Sequence, residues 1–108
     1  MNTSRKGNGA ELYVAECLEA EGWVVASRRH IGGAGDLLSV HPETGETRLI
    51  EVKCRKRPYD GFRPDARQEM RETPLPPGGT RWLANVRGAK RGPKDTRSIE
   101  WVHEDDWP

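Results

Sequence analysis

The sequence predicts a mixed β-sheet flanked by helices, an α/β or α+β domain with element order αβββαββ. Three observations predict it. Residues 9–21 keep a helical apolar period. Two alternating apolar segments, Asp36 to Val40 and Arg48 to Cys54, flank a turn-forming stretch, and a helix-favouring segment after Pro64 precedes two further alternations.

Taken in order, the first helix spans about Gly9 to Glu21, with Asn8 as its N-cap and Gly22 as its C-terminal stop. The β-branched run Trp23 to Ser27 is a strand, and Ile31 to Gly35 is a glycine-rich loop. His41-Pro42-Glu43-Thr44-Gly45-Glu46 has turn chemistry, so the strands beside it form a β-hairpin. Pro64 at a first helical turn, followed by Asp65 and Ala-Arg-Gln-Glu-Met-Arg-Glu, starts a second short helix that ends before Pro74. Arg81 to Arg87 and Ser98 to Val102 read as the last strands. Thr73 to Thr80 and Gly88 to Thr96 read as connections inside one domain.

At 108 residues a single domain with one modest core is expected, with residues 1–8 as an N-terminal arm and 103–108 as an acidic tail. Leu, Ile, Val and Phe together number only 18, and four Trp and two Tyr supply much of the remaining apolar area. Trp82 and Trp101 belong to the core; Trp107 either packs on a partner subunit or is disordered. No run is long and apolar enough for a membrane helix, and the start of the chain has no signal-peptide core, so a soluble cytoplasmic protein is expected. Cys17 and Cys54 are too few for a disulfide framework and are read as buried, inert thiols.

The net charge of +1 hides a segregation. Arg48 to Arg97 carries 14 basic and 6 acidic residues, whereas the last eleven residues carry four acidic and no Lys or Arg. Such a chain holds a polyanion on one surface while staying nearly neutral. The plain alternative is a solvated charged face.

The chemistry concentrates in the hairpin. If its turn closes with Val40 facing Thr47, Asp36 falls opposite Glu51, with Cβ atoms about 5 Å apart. Two carboxylates that close repel unless a proton or cation is shared, and a divalent metal answers this. The period of two puts Glu51 and Lys53 on one face with Leu49. A metal-binding carboxylate and an ammonium aimed at one point are the parts needed to activate water against a phosphodiester. On the helix, Glu11 falls inside the arc of Val14, Ala15 and Leu18, while Glu16 and Glu19 fall outside it. A carboxylate facing the sheet needs a cation or base beside it, and carboxylates with water are the ligand set of Mg²⁺. With 11 Glu and 5 Lys in the chain, a Glu-x-Lys triplet arises by chance roughly 0.5 times, so its weight lies in this context. Read without that context, Glu51 and Lys53 are an exposed pair and Asp36 a turn residue.

Arg28, Arg29, Arg55, Lys56 and Arg57 flank this site in sequence, as backbone-tracking cations would. Lys90 and Arg91, in a glycine-containing connection, could clamp a nucleic-acid backbone. His30 either contacts a phosphate or is polar surface. No base-reading module is visible, so recognition by shape is expected.

The stretches Arg5-Lys6-Gly7-Asn8-Gly9-Ala10-Glu11, Glu21-Gly22-Trp23-Val24-Val25, Gly32-Gly33-Ala34-Gly35-Asp36-Leu37-Leu38 and Leu49-Ile50-Glu51-Val52-Lys53 resemble the PD-(D/E)xK nuclease superfamily. Within it the likeness is to the small archaeal and phage-type Holliday junction resolvases, and it covers about the first 57 residues. Gly35 stands where the proline of the name often falls, and Arg28 to Ala34 holds no hydroxyl where the resolvases usually place a serine. The resemblance implies a restriction-endonuclease-like core, with Asp36, Glu51 and Glu11 as metal ligands and Lys53 as the catalytic lysine. It implies Mg²⁺, with Mn²⁺ as a substitute, a DNA substrate that Arg5 and Lys6 help to hold, and a homodimer that resolves four-way junctions in DNA recombination and repair. A superfamily nuclease acting on flaps, ends or duplex, or a non-catalytic nucleic-acid-binding module of the same fold, would carry the same residues.

Overall fold

In the computed structural model, which describes residues 2–28 and 34–108 with side chains from Gly9 onward, helix α1 spans Asn2–Ala20. It begins seven residues before the expected Gly9, so Asn8 lies inside the helix and is not its N-cap. Inside a helix asparagine costs only a fraction of a kcal/mol, which does not stop the helix from continuing through it. The C-terminal stop is where glycine places it. Gly22 takes φ +96°; its N–H donates to Glu19 O and that of Trp23 to Leu18 O, each at 3.0 Å. These two bonds are the Schellman closure, which needs a left-handed residue.

Strands β1 (Val24–Ser27), β2 (Leu37–Val40) and β3 (Thr47–Lys53) form an antiparallel meander. Helix α2 (Pro64–Glu72) then crosses to β4 (Thr80–Arg87), which runs parallel to β3. Between β4 and the last strand, β5 (Lys90–Arg91) and β6 (Lys94–Asp95) pair as a separate ribbon. The last strand, β7 (Ser98–His103), returns antiparallel to β4, giving a five-stranded mixed sheet of order β1-β2-β3-β4-β7. The molecule is an α+β domain. The ribbon replaces the plain connection expected from the sequence.

Alternation along β3 divides the core in two. Ile50 and Val52 pack with Leu37, Ala84 and Val86 against Val14 and Leu18 of α1. Leu49 points the other way, joining Leu83, Phe62, Met70 of α2 and Trp107. A helix therefore covers each face. Trp82 and Trp101 are half-buried against the α1 side, where the Arg48 guanidinium lies 4.5 Å from the Trp23 ring and 5.0 Å from that of Trp82. Trp107 is neither on an outer surface nor disordered. After a 3₁₀ turn at Glu104–Asp106, it packs edge-on against Phe62 with ring centroids 4.9 Å apart, and its Nε1–H donates to Val102 O at 3.1 Å. The acidic end thus closes the second core cluster. Cys17 is half-buried and Cys54 exposed. The expectation of two buried thiols fails at Cys54 because β3 ends at Lys53 and the chain leaves the sheet there.

Candidate active site

β1, β3 and β4 all run in one direction, since β1 and β3 are each antiparallel to β2 and β4 is parallel to β3. Their carboxyl ends emerge at the same end of the sheet, with the start of β2 between them. In open α/β sheets ligands bind beyond such ends. Arg28, Asp36, Glu51, Lys53, the Arg55 to Arg57 run and Arg87 all collect there.

The ladder register is Val40↔Thr47 through Leu37↔Ile50, as the turn predicts. Asp36 departs from it. The ladder ends at Leu37, and the Asp36 N–H donates to Ile50 O at 2.8 Å, so Asp36 does not pair with Glu51 across the strands. Its Oδ2 accepts from the Val52 N–H at 2.8 Å. The two bonds grip the residues on either side of Glu51, so Asp36 is beside Glu51 through its side chain and not through strand pairing. Gly35 permits this bend at φ +85°, and a Cβ there would come within 2.7 Å of Leu49 Cδ1. Proline, with φ fixed at about −65°, cannot take this conformation, and alanine would be strained in it and would displace the Leu49 methyl.

Glu51 is largely buried, with 14% of its side chain exposed, and its Oε2 lies 3.2 Å from Lys53 Nζ. Burial and then the Asp36 charge push its carboxyl up to about 7; Lys53 opposes this, and Glu11 adds a weaker upward push. The carboxylate pair therefore holds more negative charge than Lys53 balances. Glu11 is half-buried on α1, and its field reaches Glu51, but among the described residues no three His, Cys, Asp or Glu side chains converge as a metal-ligating group. Of the three expected ligands, Asp36 and Glu51 line one cleft, and Glu11 acts on Glu51 more weakly than Asp36 does.

Asp36 and Glu51 line a cleft of about 300 Å³ together with Ala34, Gly35, Ala66, Met70 and two acids outside the expected site, Asp65 and Glu69. These sit one turn apart on α2 and face the pair. Their four-residue spacing after Pro64 was the available signal. Oxygen donors are what a hard divalent cation takes, and Mg²⁺ keeps several waters while binding one or two carboxylates. The Asp36–Glu51 pair fits such an ion, because the charge that burial and mutual repulsion destabilise in Glu51 is the charge a cation would stabilise.

Beyond Lys53 a buried amide takes over from the ladder. Asn85, fully buried on β4 opposite Lys53, accepts from Arg55 N–H at 3.0 Å and donates to Arg55 O at 2.9 Å. Its Nδ2 also donates to Glu100 Oε1 at 3.2 Å. Arg87 Nη1 reaches both Lys56 O, at 2.8 Å, and Glu100 Oε1, at 3.3 Å. The chain after β3 is therefore held in place while the side chains of Arg55, Lys56 and Arg57 remain exposed. Lys90 and Arg91 are exposed on β5. Arg28 is half-buried, and its N–H donates to Asp36 O at 2.9 Å. The side chains of Arg5 and Lys6, and all of Arg29 and His30, lie outside the described residues.

No family model matches the chain, and neither a curated protein nor a solved structure matches it.

Proposed function

We propose that this chain is a Mg²⁺-dependent endodeoxyribonuclease with a restriction-endonuclease-like core, of the PD-(D/E)xK type. The observation that carries the reading is the grip of Asp36 on both neighbours of Glu51, with Lys53 3.2 Å from Glu51. That arrangement holds two carboxylates and an ammonium at one point beside a rim of exposed cations. Asp36 and Glu51, together with Glu11, would hold a Mg²⁺, for which Mn²⁺ would substitute; the ion would lower the pKa of water and offset phosphate charge.

In the hydrolysis, the water gives up a proton to solvent as its oxygen bonds to phosphorus, the bond to the departing sugar oxygen breaks, and that oxygen takes up a proton from solvent. Lys53, already oriented by Glu51, stabilises the charge that builds on the phosphoryl oxygens. Arg55, Lys56, Arg57 and Arg28, with Arg5, Lys6, Arg29 and His30 on the N-terminal side, hold the backbone without reading bases. Four-way junctions are the favoured substrate, cut by paired nicks from a homodimer whose two-fold symmetry supplies two sites.

The test compares end-labelled four-way junction, flap, single strand and linear duplex, with and without Mg²⁺. Paired nicks in the junction, dependent on Mg²⁺ and lost in Asp36→Asn and Lys53→Ala, are expected. If both variants cut as well as the parent, the site is wrong; if linear duplex is cut as fast as the junction, the junction preference is.

A further inference from the structure

The β5–β6 ribbon stands outside the nuclease site, and its construction is unlike that of a slack connection. Gly88, at φ +82°, begins it, and a Cβ there would fall 2.3 Å from Thr96 O. The root is latched by three bonds between Ala89 and Thr96: N–H of Thr96 to Ala89 O at 2.9 Å, and Thr96 Oγ1 both donating to Ala89 O and accepting from its N–H at 3.1 Å. Arg97 braces the base. Its guanidinium lies 4.2 Å from the Tyr13 ring on α1, and Tyr13 OH donates to its carbonyl at 2.9 Å.

The charges of the ribbon are as ordered as its root. Its one carboxylate, Asp95, is taken up by Arg97, which donates to it through Nε at 3.0 Å, Nη2 at 2.9 Å and its backbone N–H at 3.0 Å. Arg91 and Lys94, by contrast, are paired directly across the two strands, and both are exposed. Like charges in that position cost stability unless an anion lies between or beside them. Neither side chain has an ion-pair partner among the described residues. Both line one cleft of about 470 Å³, with Gly88, Ala89 and Thr96.

We propose that this ribbon grips double-stranded nucleic acid, with Arg91 and Lys94 holding its phosphates at a position separate from the bond that is cut. The proposal rests on the reading of the chain as a DNA-acting enzyme, and it adds the strandedness and the element that senses it. A two-stranded ribbon fits the major groove of a duplex. Single-strand binders instead stack bases on aromatic rings, and among the described residues no aromatic side chain is exposed.

The test is fluorescence anisotropy in metal-free buffer, over a salt series, on a duplex and on one of its strands. Arg91→Ala with Lys94→Ala, and separately Arg91→Gln with Lys94→Gln, are compared with the parent, and thermal melts establish that each folds. Losing two phosphate contacts lowers the slope of log affinity against log salt by about 2 on duplex, and by well under the ~1.4 that the same two contacts would give on single strand. A duplex slope equal to the parent's overturns the proposal, as does a single-strand loss of about 1.4. If the slope falls as expected while the parent cuts no DNA in Mg²⁺, the nuclease reading fails and the ribbon stands. If the parent cuts but the slope is unchanged, the reverse holds. A parent without duplex affinity overturns the ribbon proposal, whereas the nuclease reading stands or falls by cleavage of the junction in Mg²⁺.

Discussion

Glu51 is a carboxyl held where its charge is least welcome, and that conflict sets the behaviour of the site. Its pKa, about 7 in the folded chain against 4.5 for the ordinary group, makes stability depend on pH in a definite direction. Below about pH 4.5 the group is protonated in both states and imposes no penalty. Above pH 4.5 the unfolded chain ionises first, and the folded state loses stability until about pH 7, on the order of 3 kcal/mol in all. Without divalent ions the parent should therefore melt lower at pH 8 than at pH 5.5 by more than Glu51→Gln does. Millimolar Mg²⁺ should restore the parent at pH 8 and leave Glu51→Gln nearly unmoved. Equal pH profiles for the two proteins would show that Glu51 is not under this strain. At this scale the sequence was informative because β-strand alternation fixes which side chains share a face: Glu51 with Lys53 follows from the period of two. The placement of Asp36 did not follow, since its grip on Val52 N–H depends on a bend at Gly35 that strand pairing does not encode.

Elements were legible to the degree that apolar periodicity marked them. Both strands of the hairpin, its register, the stop at Gly22 and the start of α2 at Pro64 are where turn and cap chemistry put them. The N-terminal turns of α1 were missed because a polar, glycine-containing run carries no apolar period. β5 and β6 were missed because two charged residues apiece give no alternation to detect. Trp107 escaped because an acidic ending suggests a solvated tail, whereas its ring completes the core beside Phe62 and Met70. The Asn85 amide shows how one element positions another. Asn85→Leu should remove both bonds to Arg55 and cost about 1–3 kcal/mol. It should also speed hydrogen exchange at the Arg55 amide, which loses its acceptor. Unchanged exchange in Asn85→Leu would mean the segment after Lys53 is held by something else.

Across the whole molecule, a charge of +1 looks unsuited to a polyanion until its distribution is seen. The parallel β3–β4 pair brings the basic run after Lys53 and Arg87 to the sheet end that also carries Asp36 and Glu51, so attraction and repulsion toward phosphate meet at one place. A divalent cation on the carboxylates would tip that balance. Lys53→Ala, which keeps Asp36 and Glu51, should accordingly bind DNA more tightly with Mg²⁺ than with EDTA at equal ionic strength, and Asp36→Asn should lose most of that gain. The most direct test of the account is the single-turnover rate of phosphodiester cleavage in an end-labelled junction by the parent and by Asp36→Asn, each with Mg²⁺ and with EDTA. The account predicts cleavage by the parent in Mg²⁺ alone and a rate at least about 100-fold lower in the variant; cleavage in EDTA, or an equal rate in Asp36→Asn, would contradict it.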